Sequence, residues 1–142
     1  MPLAPCSAAS HAVTHEGSGD ALFARLQMQP VAAAGFDAAL AAAGDALVAV
    51  YFWGDHCFNC ERFKQAAEPK AAELSALRLH WLQANVYTDT ELGRRFSLHG
   101  VPSFYFFHRG KKLGRITSWP GLPAFTKAVE DLYMRIGAAA GP

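Results

Sequence analysis

The stretch Leu47-Val48-Ala49-Val50-Tyr51-Phe52-Trp53-Gly54-Asp55-His56-Cys57-Phe58-Asn59-Cys60-Glu61-Arg62-Phe63-Lys64-Gln65-Ala66-Ala67 decides how the rest of the chain is read. Its first third is an unbroken apolar run of strand length, which reads as a buried strand from Leu47 to Trp53. Its last third is rich in good helix formers. Two cysteines separated by two residues stand where the strand gives way to the helix, a recognised redox arrangement. That spacing puts both sulfurs on one helical turn, close enough to close a small disulfide. The first sulfur lies over the helix N-terminus, where unpaired amide N–H groups and the helix dipole favour the thiolate over the thiol. The thiolate is the species that attacks disulfides.

Working outward, the helix is expected to run from Cys57 to about Leu77, bent at Glu68-Pro69 because Pro69 has no N–H to donate. Residues 78–86 read as a second strand. Thr88 and Glu91 have the Thr-x-x-Glu spacing of a capping box, opening a short helix through Phe96. Val101-Pro102 then leads into Ser103-Phe104-Tyr105-Phe106-Phe107-His108, an aromatic strand expected to be buried on both faces. Arg109-Gly110 turns it into Lys111 to Thr117, which makes a β-hairpin. After Pro120, Gly121 and Pro123, residues Phe125, Val129, Leu132 and Ile136 recur at helical spacing on one face of a closing helix.

Upstream, Phe36 to Ala43 reads as a helix ended by Gly44. Residues 21–26 read as a short helix or an extended lead-in, with Pro30 interrupting any regular element there. Residues 1–18 mix small and polar side chains without an apolar period and read as a disordered leader. The ordered domain is expected over residues 19–137, with a flexible tail at 138–142. A crossover helix between parallel strands, then an antiparallel pair, predicts an α/β domain: a central mixed β-sheet with helices on both faces.

The 142 residues and 15.3 kDa suit one domain with one core. Alanine inflates the hydrophobic content, so the ten Phe and three Trp are expected to carry much of the burial. A formal charge of +1 argues against an electrostatic nucleic-acid binder, which would show a basic excess on one face. No apolar stretch is long enough to span a bilayer. The first twenty residues show neither a basic n-region nor an apolar h-region, so no Sec-type signal is visible. The location expected by default is cytoplasmic, with a periplasmic role open if the start is atypical or truncated. Three cysteines have the wrong parity for a disulfide-stapled secreted scaffold. Cys6, alone among Pro, Ser and Ala, reads as an incidental tail thiol.

Over roughly residues 26–135 the chain resembles the thioredoxin family. The specific marks are the Trp-x-x-x-Cys-x-x-Cys string from Trp53 to Cys60 and the Gly100-Val101-Pro102 run downstream, supported by Asn85 and the Arg109-Gly110 turn. The resemblance implies a thioredoxin fold and a thiol–disulfide oxidoreductase in which Cys57 attacks and Cys60 resolves. It implies a cis Val101–Pro102 bond that leaves the Val101 backbone open to an extended substrate segment. Trp53, His56, Phe58, Val101 and Pro102 are the expected substrate-binding positions. The partners are a disulfide-containing protein and an unidentified electron donor or acceptor. No cofactor or metal is expected, and the protein is expected to be a monomer.

The chain departs from thioredoxin itself at several positions. Phe58-Asn59 lies between the cysteines, and His56 precedes the first of them where thioredoxin has tryptophan. Tyr51 stands where the family places a buried acid, and Gln83 where it places a lysine; Pro69 is displaced along the helix. A phenol with an ordinary pKa near 10 cannot accept a proton from Cys60 at neutral pH. Glu61, water or Cys57 must then do so, or resolution is slow. A protonated His56 would stabilise the Cys57 thiolate and make the pair more oxidising; a solvent-facing His56 would not. The missing acid–lysine pair also motivates a different class of function, a redox-sensing or partner-binding module with little turnover.

A zinc or cluster site is the weaker alternative, because Cys57 and Cys60 supply two soft ligands where structural zinc takes four. His56 is poorly placed to share a metal with Cys57, and His11 and His15 fall in the leader. His80, His99 and His108 read as structural or solvent-facing, and Trp119 as a packing residue at least as readily as a groove wall. Arg94-Arg95 and Lys111-Lys112 read as solvated faces.

Overall fold

Along the central strand, Leu47, Ala49 and Tyr51 alternate with Val48, Val50 and Phe52, and each set packs under a different layer of helices. The computed structural model describes residues 21–137. The leader expected over 1–18, with Cys6, His11 and His15, and the tail over 138–142 lie outside the described residues. In chain order the elements are α1 (residues 21–26), β1 (Gln29–Pro30), α2 (Phe36–Ala42), β2 (Leu47–Trp53), α3 (Phe58–Ala67) and α4 (Ala71–Ser75). They continue with β3 (His80–Asn85), α5 (Thr90–Arg95), β4 (Ser103–His108), β5 (Lys111–Thr117) and α6 (Leu122–Ile136).

The five strands form one sheet in the order β1-β3-β2-β4-β5. β2 runs parallel to β3, with Tyr51 beside Gln83, and antiparallel to β4, with Tyr51 beside Phe104. Parallel neighbours need a crossover, which α3 and α4 supply. The sheet is therefore mixed and covered on both faces, as the element order predicted. On one face Leu47, Ala49, Tyr51, Trp81, Phe104 and Phe106 meet α1, α3, α4 and α6. On the other, Val48, Val50, Phe52, Leu82, Tyr105 and Phe107 meet Phe36 and Leu40 of α2 and Leu92 of α5. Central placement explains why β2 and β4 read as continuous apolar runs: both of their faces are covered. No helix among the described residues is long and apolar enough to cross a membrane.

The bend expected at Glu68-Pro69 is a 3-10 turn, Glu68–Lys70, that separates α3 from α4. Gly44, at φ 64°, ends α2 in the left-handed conformation that glycine adopts without a Cβ penalty. The Arg109-Gly110 turn has positive φ at both residues, matching the twist of a two-residue hairpin.

Two expectations are corrected. Pro30 does not prevent a regular element: Gln29–Pro30 pairs parallel with β3 at the sheet edge, where a proline needs no donor on its outer side. The cap of α5 is Asp89 rather than Thr88. Asp89 Oδ1 accepts from the Leu92 N–H at 3.3 Å, while Thr88 Oγ1 donates to the Asn85 carbonyl at 3.0 Å and is thereby occupied.

Candidate active site

The end of β2, the start of α3 and the loop before β4 converge on the cysteine pair. Cys57 is the N-cap of α3, with extended backbone, and its Sγ accepts the Cys60 N–H at 3.1 Å. That contact uses one of the N–H groups a helix start leaves unpaired. Cys57 and Cys60 are joined as a disulfide, with Cα atoms 5.2 Å apart. Their environments differ. Cys57 is half-buried at the surface, whereas Cys60 is 1% exposed on the inner face of α3.

The Val101–Pro102 bond is cis, as the resemblance implied. The Val101 carbonyl oxygen lies 3.6 Å from Cys57 Sγ. A disulfide sulfur has no proton to give, so this is a contact in the oxidised form and becomes donor reach for a reduced thiol. Pro102 is buried, and its carbonyl accepts the Ser118 N–H at 2.8 Å, which ties the loop to the end of β5. Ser103 Oγ donates to the Gly100 carbonyl at 2.9 Å and tightens the same turn.

The expected substrate-binding positions occupy different depths. Phe58 is 73% exposed at the rim, with the Arg62 guanidinium 5.7 Å from its ring centre. His56 is exposed in the left-handed turn before Cys57, at φ 56°. Trp53 is half-buried: its indole N–H donates to Gln83 Oε1 at 2.7 Å, and the Lys64 ammonium lies 5.0 Å over its ring. Gln83 thus holds the tryptophan. Asn85 Nδ2 donates to Asp55 Oδ2 at 3.0 Å and braces the turn that carries the motif.

Beneath the pair, the Tyr51 ring is fully buried against Phe63 and Phe104, at centroid distances of 4.9 and 5.5 Å. Its hydroxyl has no hydrogen-bond partner among the described residues. Burial first, and the negative charge of Glu61 second, push the phenol well above its ordinary value, so it stays un-ionised. An un-ionised phenol is no base for a thiol proton.

The sequence reading missed two features. Lys64 is 4% exposed, on the same face of α3 as Cys60, Phe63 and Ala67, and it donates to Glu61 Oε2 at 3.2 Å. The signal was available, since positions 60, 63, 64 and 67 share one helical face and a lysine among them is buried unless it snorkels. Tyr87, exposed after β3, lies against Gly54: a Cβ there would come within 2.6 Å of the tyrosine ring. Only a glycine admits that approach, and no local pattern announces it.

Other candidates are not brought to the site. His80 and His108 lie opposite Val48 and Leu47, at the end of β2 away from the cysteines. Trp119 packs on Phe63 and Phe125, at 4.8 and 5.1 Å, as part of the core. Arg95 is engaged by Asp37 at 2.7 Å, and the guanidinium holds that carboxyl below the usual carboxylate range. No group of three or more His, Cys, Asp or Glu side chains suited to a metal ion occurs among the described residues.

A family model described as Thioredoxin matches residues 27–130. Among solved structures, thioredoxin f from spinach chloroplast (short form) is similar with a TM-score of 0.62 and 20% identity, over 73% of this chain and 91% of that one. Thioredoxin from Trypanosoma brucei brucei gives 0.64 and 17%, over 75% and 91%. Fasciola hepatica thioredoxin gives 0.59 and 21%, over 76% and 98%. Among curated proteins none matches. At such identities the structural likeness establishes a shared fold.

Proposed function

Because the chain belongs to the thioredoxin family, whose members are in general thiol–disulfide oxidoreductases, we propose that it reduces or exchanges disulfides of protein substrates through Cys57 and Cys60. The observation that carries this reading is the asymmetry of the pair: a half-buried sulfur accepting a helix N-terminal N–H, beside a second sulfur 1% exposed. A thiolate held that way is stabilised and reachable, while its neighbour reacts only with what the first has captured. Cys57 attacks one sulfur of the substrate disulfide and expels the other as a thiolate. Cys60 then attacks Cys57 Sγ, closes the intramolecular disulfide and releases the second substrate thiolate. Two electrons have passed to the substrate, and a donor dithiol returns the pair to its reduced form.

The substrate segment lies beside Val101, whose carbonyl faces Cys57, with Phe58 and His56 at the rim and Pro102 behind. Trp53 contributes by fixing the turn, since its indole N–H and one ring face are already engaged. The test is alkylation of the reduced protein across pH, followed by reduction of a small disulfide-bonded protein. Cys57 is expected to react at neutral pH well above the rate of a free cysteine. Cys57→Ser is expected to be inactive, and Cys60→Ser to accumulate the mixed disulfide. A Cys57 no more reactive than free cysteine overturns the proposal.

One observation favours a second reading, a redox-sensing module with little turnover: the phenol beneath the pair cannot serve as a base. Slow turnover combined with tight, redox-dependent binding of one partner would select it.

A further inference from the structure

Resolution requires Cys60 to lose its proton in a place almost closed to water. Burial raises a thiol pKa and opposes that loss. Tyr51, the polar group beneath, keeps its own proton. On the elements that carry the pair, the ionisable groups near it in sequence are Glu61, Arg62 and Lys64 on α3, Tyr51 on β2, and Asp55 and His56 in the turn between them, with Tyr87 lying against Gly54 of that turn. Asp55 is engaged by Asn85 at 3.0 Å, and Arg62 lies over Phe58 at the rim.

We infer that Glu61 is the base that takes the Cys60 proton during resolution, and that Lys64 is the positioning residue that holds its carboxylate in place. The inference rests on the thiol–disulfide reading above and assigns it a residue. Three observations carry it. Lys64 is 4% exposed, and an ammonium is seldom buried so fully without a partner; the partner is Glu61 at 3.2 Å. Lys64 follows Cys60 by four residues on the same buried face, where helix geometry sets side chains about 5–6 Å apart at Cβ. The side chain that fixes Glu61 thus rises from the same buried face as Cys60, with its ammonium 5.0 and 6.0 Å from the Trp53 and Phe23 ring centres. Finally, the Glu61 side chain is 29% exposed, so a proton received there can leave to solvent. Its negative charge also acts on the Tyr51 phenol, in support of that geometry.

The step balances without a further reactant. The Cys60 S–H bond breaks and its proton passes to the Glu61 carboxylate, directly or through one water. The electron pair left on sulfur forms the bond to Cys57 Sγ. The bond between Cys57 and the substrate sulfur breaks, and the leaving thiolate takes that pair. Glu61 then returns the proton to the leaving thiolate or to solvent. The substrate disulfide is the oxidant consumed.

The experiment uses the reduced full chain with excess 5,5′-dithiobis(2-nitrobenzoic acid) in rapid mixing, where the first thionitrobenzoate released reports attack by Cys57 and the second reports resolution by Cys60. Glu61→Gln is expected to slow the second phase by about 100-fold at neutral pH, in the range of a lost general base, and to leave the first within about twofold. Its second-phase pH profile is expected to move toward higher pH, with Glu61→Asp restoring part of the rate. Lys64→Met is expected to slow the second phase less than Glu61→Gln does. A normal first phase with an unchanged second-phase rate and profile in Glu61→Gln overturns this inference alone. Equal slowing of both phases overturns it as well, since that marks a structural disturbance. A wild-type first phase no faster than free cysteine overturns the functional reading together with it.

Discussion

Two tyrosines sit one step apart on neighbouring strands, and the sheet treats them differently. Tyr105 of β4 lies beside Val50 on the face covered by α2 and α5, and its hydroxyl donates to the Phe96 carbonyl at 3.1 Å. Tyr51 of β2 lies beside Phe104 on the face covered by α3 and α6, equally buried, with a hydroxyl that no described residue accepts. The first is an ordinary core tyrosine whose polar end has been satisfied. The second leaves a polar atom unpaired beneath the cysteines, one helix layer from a buried ammonium. Among the described residues Trp81 Nε1 and His108 Nε2 are also buried without a partner, but they lie beside Ala49 and Leu47, so Tyr51 is the orphan nearest the cysteine end of β2. A residue's chemical type does not tell which role it has; the layer above it does.

The largest effects should come from truncating one aromatic on each face. Phe36 packs on Phe96 and Phe107 at 5.2 and 5.6 Å, and Phe63 packs on Tyr51, Phe104 and Trp119 at 4.9, 5.0 and 4.8 Å. Phe36→Ala and Phe63→Ala are each expected to cost about 3–5 kcal/mol in denaturant unfolding. Their chemistry should differ. Phe36→Ala is expected to leave the Cys57 alkylation rate and Cys60 resolution unchanged in the folded fraction, while Phe63→Ala alters resolution. Equal changes in thiol kinetics from both would erase the distinction between the faces.

Next in size is Tyr105→Phe. It removes a donor and leaves the Phe96 carbonyl without that partner, for an expected loss of about 1–2 kcal/mol. A loss near zero would mean the Tyr105 hydroxyl is no better placed than that of Tyr51.

The same contrast separates what the sequence shows from what it conceals. β2 and β4 are legible because strands covered on both faces read as unbroken apolar runs, and the Glu68–Lys70 break is legible because proline lacks a donor. Cys57, Cys60, Val101 and Pro102 follow from motif spacing and family resemblance. The cap of α5 was misread because Thr88, Asp89 and Thr90 are all competent; the choice falls to Asp89 because the Asn85 carbonyl engages Thr88. Pro30 was misread because its strand lies at an edge, a fact of sheet order rather than of local sequence. Lys64 was missed because a Glu-x-x-Lys pair on a helix usually reads as solvated, although its place on the apolar face pointed inward. Tyr87 depends on the end of β3 meeting the turn at Gly54, a contact between residues 33 apart in sequence that no local period encodes.

The smallest effect carries the opposite sign. Tyr51→Phe deletes a hydroxyl that pairs with no described residue and keeps the ring that packs on Phe63 and Phe104. Removing an unpaired buried polar atom is neutral or stabilising, so a gain of up to about 1 kcal/mol is expected at pH 7. The pH dependence sharpens the point. Burial raises the Tyr51 phenol in the folded state, whereas in the unfolded chain it titrates near the ordinary value of about 10. Below that pH both states hold the proton and this tyrosine makes stability no more sensitive to pH. As pH rises past it, the unfolded chain releases the proton while the folded chain retains it, and stability falls. Tyr133, also raised mainly by burial, adds a loss of the same sign that the substitution leaves in place. Urea midpoints at pH 8 and above pH 10 are therefore expected to decline less steeply in Tyr51→Phe than in the parent. A destabilised variant with an unchanged alkaline slope would show that the Tyr51 hydroxyl is paired in solution, and that the two faces are alike.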